Sequence, residues 1–312
     1  LDALRGTGQA GIDVSATTPR IIGDLSVPAL DLTPFMGEPD PEKTNQGIQP
    51  WSDETLELSG LKSVNANLSL EVGSLTIGDV ELTDAVMDVD LTDGLLTADL
   101  SQFKAFSGLW LGKLTVDARP ATPKVGFDMQ GQNVAVANLL GTLAGFDSLT
   151  GTGQFKVSAQ SSGTSIDAIM QAIDGEVSTS LSDGVVKGLN VAALVRSASS
   201  LKQAIATGSI QELNFGEALS QNAETDFSSF NTVLKVNDGV ANVDVMKLLS
   251  PILGVDGTGQ INLAAQSMDL RLATSVDKSA QGQGSVVQLN GIPVPIRISG
   301  AWTRLPRHLL KM

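Results

Sequence analysis

Few residues in this chain could carry covalent chemistry. His308 is its one histidine and cysteine is absent, so a Ser-His-Asp triad, a Cys-His pair and most zinc sites are nearly excluded. Catalysis would have to rest on carboxylates or a Ser-Lys pair. Asp88, Asp90 and Asp93-Gly94 come nearest to a calcium loop. There, Leu91-Thr92 breaks the ligand spacing and no bidentate Glu follows, so a tight Asp-Gly hairpin is the expectation instead. The phrase Gly-Thr-Gly-Gln occurs at 6–9, 151–154 and 257–260. A phosphate loop would need a helix and a Gly-Lys-Ser/Thr after it, and each copy runs into an alternating stretch. These glycines are expected to mark bends or close backbone approach on entering a strand. No catalytic residue, metal site or cofactor is expected, and the chain is taken as a non-enzyme.

The elements around these residues say more. After the three phrases, Ile12 and Val14, Phe155 and Val157, and Ile261 and Leu263 fall at matching offsets on one side, with mostly polar residues between them. They are expected to share one face of a sheet. Leu68 and Leu70 continue the alternation, as do Met87, Val89 and Leu91, then Leu96, Ala98 and Leu100. Half-apolar runs of this kind imply antiparallel strands. Asp93-Gly94, Asp183-Gly184 and Asp238-Gly239 are expected as hairpin turns. Helical spacing predicts two short amphipathic helices. One lies near 164–173, with Thr164 and Asp167 as a capping-box variant, and one near 190–206, starting at Asn190. Prolines and polar residues predict a loop over about 33–54. The chain is divided into a repetitive β segment, 1–160, and a C-terminal β region with the two helices, 161–312. In 291–300, Pro293 and Pro295 alternate with Ile292, Val294, Ile296 and Ile298. Both missing N–H donors then fall along one edge, which predicts a strand at the sheet's margin with pairing blocked on that side.

Composition limits the partners. The chain has 34 acidic against 20 basic residues, a net charge of −14, which disfavours nucleic acid. Absence of cysteine suits an oxidising compartment such as a periplasm. No stretch approaches the roughly 20 apolar residues that span a bilayer. Because a strand unit is already under way at residue 2, upstream sequence holding the targeting information is expected.

The order of the pieces resembles the C-terminal region of the AsmA-like family of Gram-negative envelope proteins. The phrases that carry the resemblance are Pro50-Trp51-Ser52-Asp53, the Asp93-Gly94 turn, Gly108-Leu109-Trp110-Leu111-Gly112, Asn138-Leu139-Leu140 and Leu149-Thr150-Gly151-Thr152-Gly153. Further matches are Gly163-Thr164-Ser165, Asn237-Asp238-Gly239, Leu249-Ser250-Pro251, Gly257 to Leu263, and Pro293 to Gly300. Trp110 stands where such proteins often have Tyr, and the tail after Trp302 departs from the usual Asn-Pro and acidic ending.

The resemblance implies a periplasmic segment, joined to the inner membrane through a missing N-terminal anchor. It further implies a long curved antiparallel-rich sheet, an open trough whose hydrophobic groove shields the tails of a phospholipid or other acyl lipid. The role would be transport between inner and outer membrane, or outer-membrane homeostasis. Lipid-groove candidates are Ile12, Val14, Leu68, Leu70, Phe155, Val157, Ile261 and Leu263. One leaflet's acyl chain, roughly 15 Å, matches about five residues of extended strand. Three alternatives stay open. The oily face could be a dry core, and the protein could be a non-lipid scaffold assisting outer-membrane protein assembly through envelope partners or, third, a cell-surface β-repeat adhesin.

Overall fold

The structure, a computed structural model, describes residues 6–33, 50–188, 190, 191, 193, 220, 222–251, 253–276 and 295–301. Its strands are β1 (Thr7–Asp13), β2 (Arg20–Asp31), β3 (Asn65–Ile77), β4 (Val80–Thr92), β5 (Leu95–Ala105), β6 (Gly108–Asp117) and β7 (Lys124–Ala135). After them come β8 (Thr152–Ser162), β9 (Asp174–Lys187), β10 (Glu224–Asn237), β11 (Val240–Leu249), β12 (Leu253–Asn262), β13 (Ser267–Val276) and β14 (Pro295–Ala301). All belong to one 14-stranded sheet in which each strand lies beside its sequence neighbours. The sheet is open, with β1 and β14 at its two edges. Every pairing is antiparallel except β2 with β3. The expected mainly β, antiparallel-rich fold is present. A division at residue 160 falls within β8, which pairs with β7 and β9 on either side, so both halves share one sheet.

Register decides which side chains share a face, since direct partners on adjacent strands project to the same side. One rung runs Ile12, Ile21, Ala66, Leu91, Leu96, Val116, Val125, Ser161. A second, on the same face, runs Phe127, Ala159, Gly175, Val236, Ala241, Ile261, Met268, Gly300. The opposite face is mostly polar and laced with cross-strand contacts, among them Ser69 Oγ to Asp88 Oδ1 at 2.7 Å and Lys235 Nζ to Asp244 Oδ2 at 2.9 Å.

The repeated glycine phrases mark close approach. At Gly8, Gly153 and Gly259 an added Cβ would overlap the carbonyl oxygens of Asp24, Ser180 and Asp269 on the neighbouring strand. Asp93-Gly94 (φ 50° and 88°) and Asp238-Gly239 (φ 46° and 71°) are two-residue turns with both central residues left-handed, as a primed hairpin turn requires.

Asp183-Gly184 is not the hairpin expected. β9 runs through it, and Asp183 (φ 50°) forms a bulge inside the strand. Beyond it the inward phase shifts from Leu181 to Gly184, whose face is filled by the Phe227 ring. Further left-handed residues within strands are Asp84 (φ 51°) and Asn133 (φ 55°), at or beside register shifts in β4–β5 and β7–β8. Such bulges bend and twist the strands that carry them.

Helix α2 (Ile166–Gln171) lies where helical spacing predicted one, but its N-cap is Ser165, whose hydroxyl accepts from Ala168 N at 3.1 Å; Thr164 and Asp167 do not form the box. At the second predicted helix, Val191 and Ala193 are helical and Asn190 Oδ1 accepts from Ala193 N at 2.8 Å. The remainder of 190–206 lies outside the described residues. An unforeseen helix, α1 (Val136–Ala144), joins β7 to β8. It stops at left-handed Gly145 (φ 59°), where Phe146 N–H reaches back to Leu140 O at 3.1 Å.

Candidate functional site

The apolar face has two zones. The first is a buried seam that crosses the sheet near the end where α1 sits. It includes Val72, Phe103, Trp110, Val134, Phe155, Leu181, Phe227, Leu248, Val255 and Ile296, drawn from strands β3 to β14. Trp110 anchors it. Its ring stacks on Phe103 (centroids 6.2 Å apart, planes 12° apart) and meets Phe155 at 6.1 Å. Its indole N–H donates to Ala105 O at 3.0 Å, satisfying the polar atom that burial would otherwise orphan. In the second zone, toward the other ends of the strands, Leu68, Leu70, Val89, Phe127, Val157, Leu234 and Ile261 are half-buried, and Phe127, Leu234 and Ile261 pack against a smaller buried cluster of Ile173, Val236 and Ala241.

The groove candidates therefore divide. Leu68, Leu70, Val157 and Ile261 line the half-buried zone. Phe155 points the same way but is 6% exposed, packed in the seam. Ile12 shares the face on edge strand β1 at 69% exposure, and Val14, beyond the end of β1, is 75% exposed. Leu263, just past β12, is half-buried and donates its N–H to Gly239 O at 2.8 Å. Pro295 opens β14, the marginal strand, opposite Ala273. Pro293 lies outside the described residues.

Two functional features escaped the sequence reading. Trp110 was a phrase in a resemblance and no more, although one of only three tryptophans in a chain of 4% aromatics signals an anchor. The stretch Pro50–Lys62 holds a second one: Trp51 Nε1 donates to Leu263 O at 2.8 Å. Nearby, Asp167 N donates to Ser52 O at 2.9 Å and Leu56 N to Thr164 O at 2.8 Å. A short 3-10 turn, Ser59–Lys62, then leads into β3.

Charge sits away from the lining. Arg119 holds the Asp117 carboxyl down to about 2 through two hydrogen bonds of 2.8 Å at the β6–β7 turn. Asp88 and Asp90 accept from Ser69 and from Asn67 and Thr92 on the polar face. No group of three or more His, Cys, Asp or Glu that could hold a metal occurs among the described residues.

An open, meandering sheet with an apolar face is what the resemblance led one to expect, and the family itself is borne out by comparison with known proteins. The model for the AsmA family matches residues 40–246, about two thirds of the chain. The chain belongs to the AsmA family. Protein AsmA of Escherichia coli (strain K12) is 26% identical over 252 residues, covering 79% of this chain and 39% of that relative. The chain thus spans about two fifths of the length of this AsmA relative. No solved structure matches the chain significantly. AsmA membership suggests an envelope-related role. Among the described residues no helix is long and apolar enough to cross a membrane.

Proposed function

We propose that this chain is a periplasmic segment of an AsmA-like protein that shields lipid tails in its apolar trough. Phospholipid would pass along it between inner and outer membrane, or be held for outer-membrane homeostasis, with an N-terminal anchor in the inner membrane. The observation that carries the proposal is the segregation of the sheet: apolar on one face, mostly polar on the other, where Ile22, Leu109, Leu111 and Leu249 are exposed exceptions, and with the apolar face only half-buried where Leu68, Leu70, Val157 and Ile261 lie.

The mechanism is solvation. Half-buried aliphatic side chains replace bilayer contacts for the tails while headgroups stay in water. Each methylene so sheltered contributes about 0.8 kcal/mol, enough to hold two chains with no polar anchor. A lining of similar residues on successive strands offers no single deep minimum, so cargo slides and no reacting group is needed.

The test is mass spectrometry of an organic extract of the protein purified from cells. Near-stoichiometric phospholipid or another acyl lipid is expected, and lipid-free protein sinks the proposal. The second reading, a scaffold for outer-membrane protein assembly, is favoured by the outer edge of β1, which pairs with no strand among the described residues and all of whose residues are exposed. It predicts strand-mediated capture of an unfolded barrel protein by lipid-free protein.

A further inference from the structure

The parallel pairing of β2 with β3 forces the chain leaving β2 to return to the sheet's starting rim, the row of ends where β3 begins, β4 turns into β5, α2 joins β8 to β9, and β12 ends. The last part of this crossover, Pro50–Lys62, touches that rim at three separated places. Trp51 is bonded to Leu263 after β12, Ser52 and Leu56 to the β8–β9 connection, and Lys62 lies against Gly94 of the β4–β5 turn. Between these contacts it is two-faced. Trp51, Leu56, Leu58 and Leu61 are half-buried, whereas Asp53, Glu54 and Glu57 are exposed.

Its hold is weak. None of these thirteen residues is fully buried, and the ties to α2 and β12 are the three hydrogen bonds given above. Stretches with few buried contacts open at low free energy while the ladder beside them stays closed. The opposite rim is packed by the large seam of Trp110, Phe155 and Phe227, whereas on the strap's side the buried cluster is small, Ile173, Val236 and Ala241, with Phe127, Leu234 and Ile261 left half-buried beside it.

We infer that Pro50–Lys62 is a gate on the starting rim, latched by the indole of Trp51 on the carbonyl of Leu263, which opens to admit an acyl chain to the lining and closes over it. This rests on the proposed lipid-carrying role. With no lipid present, Trp51 and the three leucines rest half-buried at this rim.

Because the protein has no cysteine, a gate can be locked chemically. Ser52 and Asp167 are joined backbone to backbone, close enough for their Cα atoms to suit a disulfide. The double variant Ser52→Cys, Asp167→Cys is compared, oxidised and reduced, for exchange of a phosphatidylethanolamine bearing a fluorescent acyl chain with phosphatidylcholine vesicles. Oxidation is expected to slow exchange by an order of magnitude or more, reversibly, and Trp51→Ala to speed it several-fold. Equal exchange in both redox states, with Trp51→Ala unchanged, overturns the gate and leaves the carrier role standing. No uptake by the reduced or unsubstituted protein overturns the carrier role and the gate together. Failure of the thiols to join under oxidant overturns the closed docking of the strap on α2.

Discussion

Arg297 grips Asp269 with two parallel hydrogen bonds of 2.8 Å, Nε to Oδ1 and Nη2 to Oδ2, tying the marginal strand β14 to β13. The pairing holds the Asp269 carboxyl below its ordinary value of 3.8, chiefly through the hydrogen bonds from Arg297. A depressed folded-state value means that the stabilisation is present above that ordinary value and is lost as pH falls through the lowered one. Amide exchange in 295–301 should therefore accelerate below about pH 4 before exchange in β4 or β5 does. Asp269→Asn should reproduce that fraying at neutral pH, and unchanged protection in this variant would count against the clamp.

Phe155 and Val157 are two residues apart on the same face but should respond differently. Phe155→Ala opens a hole beside Trp110 and is expected to cost about 3–5 kcal/mol in denaturant unfolding. Val157→Asp, at a half-buried position, should leave the sheet folded by circular dichroism while sharply lowering lipid loading. A folded Val157→Asp protein that carries lipid normally would remove this part of the face from the groove.

Gly259 has φ 130°, and a Cβ on it would collide with the Asp269 carbonyl. Gly259→Ala is expected to lower stability by about 1–3 kcal/mol from backbone strain alone, with more from strand separation. Gly11→Ala, in the same kind of strand but with open space around the added carbon, is the control and should fall within about 0.5 kcal/mol of the parent.

Replacing Pro293 and Pro295 by Thr should restore two N–H donors to the margin of the sheet. If the prolines block pairing there, the variant forms concentration-dependent oligomers by light scattering while the parent does not. A monomeric variant over the whole concentration range would assign the blocking to some other feature.

How much of this was legible depended on what each residue signals. Alternation after the three glycine phrases reported the face of Phe155, Val157 and Ile261 correctly, because a period of two is a property of the strand itself. It could not report depth: Phe155 is buried in the seam beside the Trp110 ring, itself stacked on Phe103, and only the fold brings Trp110 to it. Asp183-Gly184 reads like Asp93-Gly94 because both need a left-handed Asp. The difference lies in whether the chain beyond reverses or continues out of phase, and Gly184 continues because Phe227 packs against it. Helix α1 was missed because Val136–Ala144 is short, contains Gly141 and has no side-chain N-cap. The strap was invisible as a strap, since its partners Thr164, Asp167 and Leu263 lie more than a hundred residues away in sequence.

The uninterrupted strand order has a consequence for how such a molecule grows and forms. Each strand meets its sequence neighbours, so stability is close to a sum of nearest-neighbour terms, and hairpins can zip onto a nucleus one after another with little loop entropy lost at each step. Lengthening or shortening the trough then requires inserting or deleting one hairpin in phase, with no other strand rewired. The β2–β3 crossover is the exception: it ties residues 50–62 to strands made much later, so the gate is fastened only after β12 has been added.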